Sequence, residues 1–74
     1  MSRIPALTGE RLIKALSKAG FSILRQRGSH VYLAHTDGRA TVVPVHKGET
    51  IGRGLMKKIM RDTELSQAEL LKLL

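Results

Sequence analysis

The first regular pattern along the chain is helical. Apolar residues recur every three or four positions from Leu12 to Ala19, and the basic residues of this stretch fall on the other side. Thr8 stands where an N-cap would accept a hydrogen bond from the first turn, and Gly20 stands where helices commonly end. The pattern predicts a helix over residues 9–19.

From Phe21 onward the apolar period changes to two, which is typical of strands. It predicts a first strand that starts at Phe21, a second over residues 30–35 and a third over residues 40–45. Pro44 has no N–H to donate to a ladder, so we expect it at the end of the third strand or on a sheet edge.

Two turn signals predict how these strands pair. A three-residue loop of Arg27, Gly28 and Ser29 predicts the pairs Gln26 with His30, Ile23 with Leu33 and Phe21 with His35. A two-residue Asp-Gly loop predicts Leu33 opposite Val42 and Tyr32 opposite Val43. In this register the inner face carries Ile23, Val31, Leu33 and Val42. The face that we expect to meet solvent carries Gln26, His30, Tyr32 and Thr41.

The last third of the chain returns to helical spacing. Ile51, Leu55 and Ile59 predict a helix near residues 53–62. A capping box with its hydrophobic staple predicts a short helix through the C-terminus, and it consists of Ser66, Glu69, Leu65 and Leu70. The order α-β-β-β-α-α predicts one α+β domain over residues 1–74, a three-stranded antiparallel sheet with helices packed on one face.

Positive charge is distributed unevenly along the chain. Thirteen Lys and Arg against six acids give a formal net charge of +7 over 74 residues. Residues 1–61 hold twelve basic residues against three acids (+9), whereas residues 62–74 hold one against three (−2). This density favours a phosphate-rich partner such as a nucleic acid. A membrane surface is disfavoured because no stretch pairs a basic face with Trp or Phe on the other.

Composition excludes several kinds of protein. The absence of cysteine excludes disulfides, thiolate zinc sites and a cysteine nucleophile. The two aromatic residues, Phe21 and Tyr32, are too few for a base-stacking platform. No apolar run has the length of a membrane span, and the N-terminal segment lacks the apolar part of a signal peptide. We therefore expect a cytoplasmic protein.

The three histidines do not have metal-site spacing. His30 and His35 lie five positions apart and face opposite sides of a strand, and His46 follows Pro44 in a loop. We expect neither a metal nor a cofactor. His30 lies at a strand start among basic residues, where an imidazole could act as general acid or base on RNA. The pattern alone favours the simpler interpretation, a polar residue beside a turn.

Several motifs follow one another along the chain in a recognisable order. They are the run from Leu12 to Gly20-Phe21, then Arg27-Gly28-Ser29-His30, Asp37-Gly38-Arg39, Val42-Val43-Pro44-Val45-His46, Gly54-Leu55 with Ile59, and Leu65-Ser66. Taken together, these motifs resemble the HicA toxin family. The resemblance covers nearly the whole chain. The sequence departs from the family pattern at Asp62-Thr63-Glu64, where members commonly carry Gln-Ala-Gly.

The resemblance implies a fold similar to double-stranded-RNA-binding domains and the activity of an mRNA interferase. Such a protein is a toxin ribonuclease of a type II toxin–antitoxin system, held inactive by a HicB antitoxin. The family's catalytic histidine falls on His30, and Gly28 and Ser29 match its flanks. The identity of a second catalytic group is undecided, and the candidates are Ser29, Tyr32, His46 and Lys47. The candidate RNA contacts are Arg25, Arg27, Lys47, Lys57 and Lys58.

Two other functions stay open beside the ribonuclease. One is a non-catalytic RNA-binding module of the same fold. The other is an interaction domain whose basic surface serves only to meet an acidic antitoxin.

Overall fold

The computed structural model of the protein describes residues 4–74, so residues 1–3 of the segment considered for a signal peptide lie outside it. Its elements are α1 (Gly9–Lys18), β1 (Ser22–Arg27), β2 (His30–Ala34), β3 (Ala40–Pro44), α2 (Arg53–Thr63) and α3 (Gln67–Leu73). The strands form one antiparallel sheet in the order β1-β2-β3. The predicted α+β class and element order are confirmed.

Local capping explains where two of the helices begin. The Thr8 hydroxyl accepts from the Arg11 N–H at 3.2 Å and starts α1. Ser66 and Glu69 form the predicted capping box at the start of α3 through two reciprocal hydrogen bonds. The bond from the Ser66 N–H lowers the pKa of the Glu69 carboxyl. Both helix starts are thus specified by residues within one turn.

The core lies between the inner face of the sheet and the helices. Its buried apolar side chains come from every element except β1, and they are Leu7, Leu12, Ala15, Leu16, Phe21, Val31, Leu33, Val43, Met56, Ile59 and Leu70. The helices pack chiefly against β3 and against each other. β1 is therefore an edge strand that pairs with β2 and receives little cover from the helices.

The pairing of β2 with β3 differs by one residue from the predicted register. Leu33 lies opposite Thr41 and Tyr32 opposite Val42, so the predicted partners Val42 and Val43 are wrong. The loop between the strands has three residues, because the His35 N–H bonds to the Arg39 carbonyl at 2.8 Å. A turn followed by a left-handed residue, Gly38 at φ +100°, accounts for the extra residue.

This shift exchanges residues between the two faces of β3. Thr41, predicted to meet solvent, is only 5% exposed, and Val43 takes the inner position predicted for Val42. The buried Thr41 hydroxyl is satisfied because it donates to the Asp62 carboxylate at 3.0 Å. Asp62 also accepts from Lys58, and this bond is the main reason why the pKa of Asp62 is lowered.

The turn between β1 and β2 is also shorter than predicted. Gly28 and Ser29 alone form it, so Arg27 lies opposite His30, and the predicted pairing of His30 with Gln26 is wrong. Gly28 has φ +58° and Ser29 does not have a positive φ, the pattern of a type II′ turn. Two-residue turns of this type match the twist of the strands that they join.

A bulge at Leu24 restores the predicted register further along β1. Ile23 lies opposite Leu33 as predicted, and the rings of Phe21 and His35 lie 5.3 Å apart, edge to face. Ile23 lies on the predicted inner face but is 55% exposed. An edge strand without helical cover leaves even its inward side chains partly in water.

A close approach at Gly9 joins the helical layer to the end of the sheet. A Cβ at Gly9 would overlap the carbonyl oxygen of Pro44, which is backbone and has no alternative rotamer. Beside this contact the Ile51 N–H bonds to the Leu7 carbonyl at 2.7 Å, and Thr8 forms a bridge with Thr50. The starts of α1 and α2 therefore lie at the sheet end that carries the Gly28 turn.

We predict that Gly9→Ala destabilises the protein by roughly 1–3 kcal/mol, because the added methyl group overpacks against backbone. The measurement is urea unfolding followed by circular dichroism. Gly54→Ala is the matched control, since Gly54 also lies in the first turn of a helix but has open space where the Cβ would be. The prediction is wrong if the two substitutions change the free energy of unfolding equally.

The departure from the family pattern at Asp62-Thr63-Glu64 has a structural consequence at its last residue. Glu64 is the C-cap of α2 and has φ +57°, the left-handed conformation that favours glycine. Its carboxylate also lies at the helix end where the macrodipole is negative.

We predict that Glu64→Gly raises the free energy of unfolding by roughly 0.5–1 kcal/mol, after the greater entropy of the unfolded chain is subtracted. Glu64→Ala separates charge from backbone, because it removes the carboxylate and keeps the conformational strain. We expect it to add a few tenths of a kcal/mol at most. Equal gains from both variants in chemical denaturation would show that φ is not the cause.

Candidate nucleic-acid interface

The outer face of the sheet is the one that the helices leave open. Since Val31 and Leu33 are buried on the inner face, the residues between and beside them on β2 point outward. The observed register arranges the outer face as two rows across the three strands. They are Arg27–His30–Pro44 and Arg25–Tyr32–Val42.

The bulge in β1 brings two arginines onto this face. In an unbroken strand with the predicted register, Gln26 and Leu24 would lie beside His30 and Tyr32. The bulge at Leu24 and the two-residue turn instead place Arg27 opposite His30 and Arg25 opposite Tyr32. Bulges commonly change where a side chain points in this way. The sequence prediction grouped both arginines with His30, although the register behind it was wrong.

His30 is exposed in the middle of its row. Residues directly opposite on neighbouring antiparallel strands have Cβ atoms ~5 Å apart, so Arg27 and Pro44 flank its imidazole on the two sides. Tyr32 lies two positions along the same strand and the same face. The arrangement leaves the imidazole accessible to a large ligand, with a cation beside it.

Arg25 is held over the ring of Tyr32. Its guanidinium carbon lies 4.8 Å from the ring centroid, within the range of a cation–π interaction. A guanidinium lying on a ring keeps its donor groups directed along the surface. Tyr32 itself is half-buried, which limits how far this pair can move.

Three of the predicted site residues, Ser29, His46 and Lys47, lie at the sheet end that carries the Gly28 turn. The Val45 N–H bonds to the Ser29 carbonyl at 2.6 Å, which continues the pairing of β3 with the turn. His46 follows directly, and its carbonyl accepts from the Glu49 N–H. His46 and Lys47 are both exposed. The structure therefore gathers Ser29, His46 and Lys47 near the end of the row that contains His30.

Lys57 and Lys58 lie apart from this face. They belong to α2, which packs against β3 on the opposite side of the sheet. Lys58 forms an ion pair with Asp62 at 2.9 Å, and Lys57 borders a groove on the helical side. Both are exposed. A nucleic acid that touches them and the outer face must pass around the sheet end where α2 begins.

A comparison of the sequence with models of protein families shows which family the chain belongs to. The family model described as HicA toxin of bacterial toxin-antitoxin systems matches residues 9–65, which is more than half of the chain. The chain belongs to the HicA toxin family. No curated protein matches the chain. The HicA match runs from α1 to the end of α2 and includes both rows of the outer face, whereas α3 lies beyond it.

Membership in the HicA family makes the chain a toxin of a bacterial toxin–antitoxin system, and this implies an antitoxin as a protein partner. Between residues 4 and 74, no helix has the length and apolar character that a membrane crossing requires.

The acidic residues of this HicA toxin are concentrated away from the outer face. Asp37 lies in the loop between β2 and β3, where the Arg39 N–H and guanidinium bond to its carboxylate and lower its pKa. Arg39 also bonds to the Thr63 carbonyl and lies 5.1 Å from the ring of Phe21. In contrast, neither row of the outer face contains a carboxylate.

His35 takes no part in the outer face. Its Nδ1 accepts from the Asp37 N–H at 3.1 Å, and its ring packs against Phe21. A Cβ at Gly20 would lie within 3 Å of this ring, so the imidazole is closely held. The expectation that His30 and His35 lie on opposite sides of the strand agrees with this placement. Within the described residues, no three histidine or acidic side chains come together as metal ligands.

The outer face is open rather than cleft-like. A groove of about 460 Å³ and a smaller one of about 240 Å³ are lined by residues of the helices, of the chain ends and of the loop before α2, and neither includes a residue of the two rows. Sequence analysis missed Pro44 and Val42 as members of the face. Because Asp-Gly suits both two- and three-residue loops, the sequence carried no signal that would have revealed them. An open, basic surface suits an extended polymer better than a small molecule.

Proposed function

We propose that this HicA-family toxin is an endoribonuclease that cleaves mRNA on its outer face, with His30 as one of its two acid–base groups. A HicB-type antitoxin neutralises it, and both act in the cytoplasm. The observation that carries the proposal is the row Arg27–His30–Pro44, which places an exposed imidazole beside a guanidinium on a face without carboxylates.

Two arginines supply the phosphate contacts of the proposed site. Arg27 lies beside His30, and Arg25 is directed by the ring of Tyr32. No ion pair within residues 4–74 uses either guanidinium. Guanidinium groups bind phosphate oxygens through paired hydrogen bonds. They would also stabilise the charge that develops on the phosphorus centre during cleavage.

The proposed chemistry needs only the RNA and protein side chains. The neutral His30 imidazole takes the proton of a 2′-hydroxyl as its oxygen attacks the adjacent phosphorus. The bond from phosphorus to the 5′ oxygen then breaks, and this oxygen takes a proton from an acid. The products are a 2′,3′-cyclic phosphate and a 5′-hydroxyl end. The step needs no metal ion.

The second acid–base group is undecided, and its four candidates lie at different places relative to His30. Tyr32 lies on the same face as His30 and two positions away, whereas Ser29 is part of the turn. His46 and Lys47 lie in the loop beside that turn. Lys47, and beyond it Lys57 and Lys58 on α2, also serve as contacts to flanking phosphates in this proposal.

We predict that His30→Ala lowers the rate of cleavage at least ~100-fold, the usual effect of losing a general acid or base. The measurement uses a synthetic mRNA in EDTA with single-turnover kinetics, and mass spectrometry identifies the new ends. His35→Gln is the matched control, because His35 lies at the other end of the sheet. Circular dichroism checks that both variants fold. Cleavage by His30→Ala at the wild-type rate would disprove the assignment.

The two alternative functions give different outcomes in the same system. A non-catalytic RNA-binding module would bind RNA with an affinity that falls steeply with salt, since phosphate contacts release counterions, and would not cleave it. A domain made only to meet an antitoxin would show RNA affinity that barely changes with salt. Cleavage that depends on His30 excludes both.

The proposed antitoxin inhibits by covering His30, and it contacts some of Arg25, Arg27, Lys47 and Lys57. We predict that Arg27→Glu both slows antitoxin association and weakens RNA cleavage, because one surface serves both partners. Stopped-flow binding at two salt concentrations and the cleavage assay measure the two effects.

Lys14→Glu is the matched control for Arg27→Glu. It makes the same change in net charge at an exposed position of α1, away from the outer face. We expect Lys14→Glu to slow association by a smaller factor and to leave cleavage unchanged. A loss of cleavage in Arg27→Glu with unchanged antitoxin association would show that the two partners use separate surfaces.

A further inference from the structure

The free edge of β1 is the feature of this fold that the proposed ribonuclease site leaves unexplained. All six residues of β1 are exposed. Two of them are large and apolar, Ile23 at 55% and Leu24 at 67% exposure. As an edge strand, β1 also presents unpaired backbone N–H and C=O groups on the side away from β2. Such an edge is a template for an added strand.

The opposite edge of the sheet does not offer the same opportunity. β3 ends in Pro44, which has no N–H to donate, and its carbonyl lies against Gly9. The helices α1 and α2 also pack chiefly against β3. β1 has neither form of protection. Within residues 4–74, β1 is therefore the edge more open to main-chain pairing.

The charge pattern of β1 selects the kind of strand that can pair there. Arg25 and Arg27 are two positions apart and both face outward, and no ion pair among residues 4–74 involves them. A strand added beside them would place its alternate residues next to the two guanidinium groups. Acidic residues at those positions, with apolar residues between them to cover Ile23, complement the edge.

A second copy of this chain is a poor occupant of the same edge. Two β1 strands pairing with each other would bring four arginines into neighbouring positions, and each copy carries a net charge of +7. Like charges on adjacent strands are destabilising.

We propose that the edge of β1 is the docking site for an extended acidic segment of the antitoxin, which adds to the sheet as a fourth strand. Membership in a toxin–antitoxin family supplies a protein partner, and the proposal does not depend on catalysis by His30. Six residues of β1 span ~20 Å, which fits a segment of similar length. The added strand lies two strands from His30, or ~10 Å, close enough for its flanking chain to cover the imidazole.

The test uses the intact protein and an acetylated, amidated peptide of alternating glutamate and valine, seven residues long. We expect the peptide to shift the NMR signals of the β1 amides and to slow their hydrogen exchange. The same peptide with N-methyl groups on alternate amides keeps every side chain but cannot pair along one edge, so it should bind at least tenfold more weakly. A lysine–valine peptide should not bind.

Variants locate the site without touching the proposed RNA contacts. Ile23→Ser and Leu24→Ser should each weaken peptide binding about tenfold, since each removes apolar cover without changing the net charge. Leu74→Ser is the matched control at another exposed leucine and should bind as the wild type does. Neither Ile23→Ser nor Leu74→Ser should change RNA cleavage.

Three results would overturn the proposal. Equal binding of the N-methylated peptide would show attraction by charge alone. Slow exchange, without peptide, of the β1 amides that point away from β2, together with dimers in sedimentation, would assign the edge to a second copy. Unchanged peptide binding in Ile23→Ser and Leu24→Ser would place the site elsewhere. If the wild type fails to cleave RNA, the proposed ribonuclease activity is wrong. The peptide experiment still tests the docking site independently.

Discussion

The register of the strands determines which side chains of this sheet are buried and which meet solvent. The sheet has one covered face, so a shift of one residue would move Val31 and Leu33 from the core to solvent and His30 and Tyr32 into the core. Few buried side chains hold the chain together, and a core of this size cannot absorb such an exchange. Whatever specifies the register therefore specifies both stability and the candidate site.

Three local features set that register in concert. The type II′ turn at Gly28 aligns Arg27 with His30, the bulge at Leu24 corrects the alignment toward Ile23, and the loop at Gly38 positions β3. The turn and the bulge set two parts of the β1–β2 pairing, and the loop sets the β2–β3 pairing. Together they place the two arginines and His30 on the same face. The proposed chemistry of the site is thus a consequence of backbone geometry as much as of residue type.

The parts of the fold that sequence predicts well are those decided within one helical turn. Thr8 and the Ser66–Glu69 box specify helix starts by bonds to nearby amides, and both were found where predicted. Register was predicted less well because it depends on how many residues a turn uses, and Asp-Gly suits both two- and three-residue loops. A bulge leaves no mark on the apolar period, so Leu24 could not have been recognised from alternation.

The grouping of His30 with Arg25 and Arg27 was nevertheless correct in space. The separation of Lys57 and Lys58 from them depends on tertiary packing.

Positive charge is neutralised in one part of this protein and left without a counter-charge in another. The ion pairs seen in residues 4–74 cluster near the loop between β2 and β3 and the end of α2, where Asp37 and Asp62 neutralise Arg39 and Lys58. Interactions there tie the sheet to the helices, as the bonds from Arg39 to Thr63 and from Thr41 to Asp62 show. The outer face and the Gly28 turn have no such compensation. Positive charge is therefore neutralised where it stabilises the fold and left unpaired where a phosphate or an acidic partner can supply the missing counter-charge.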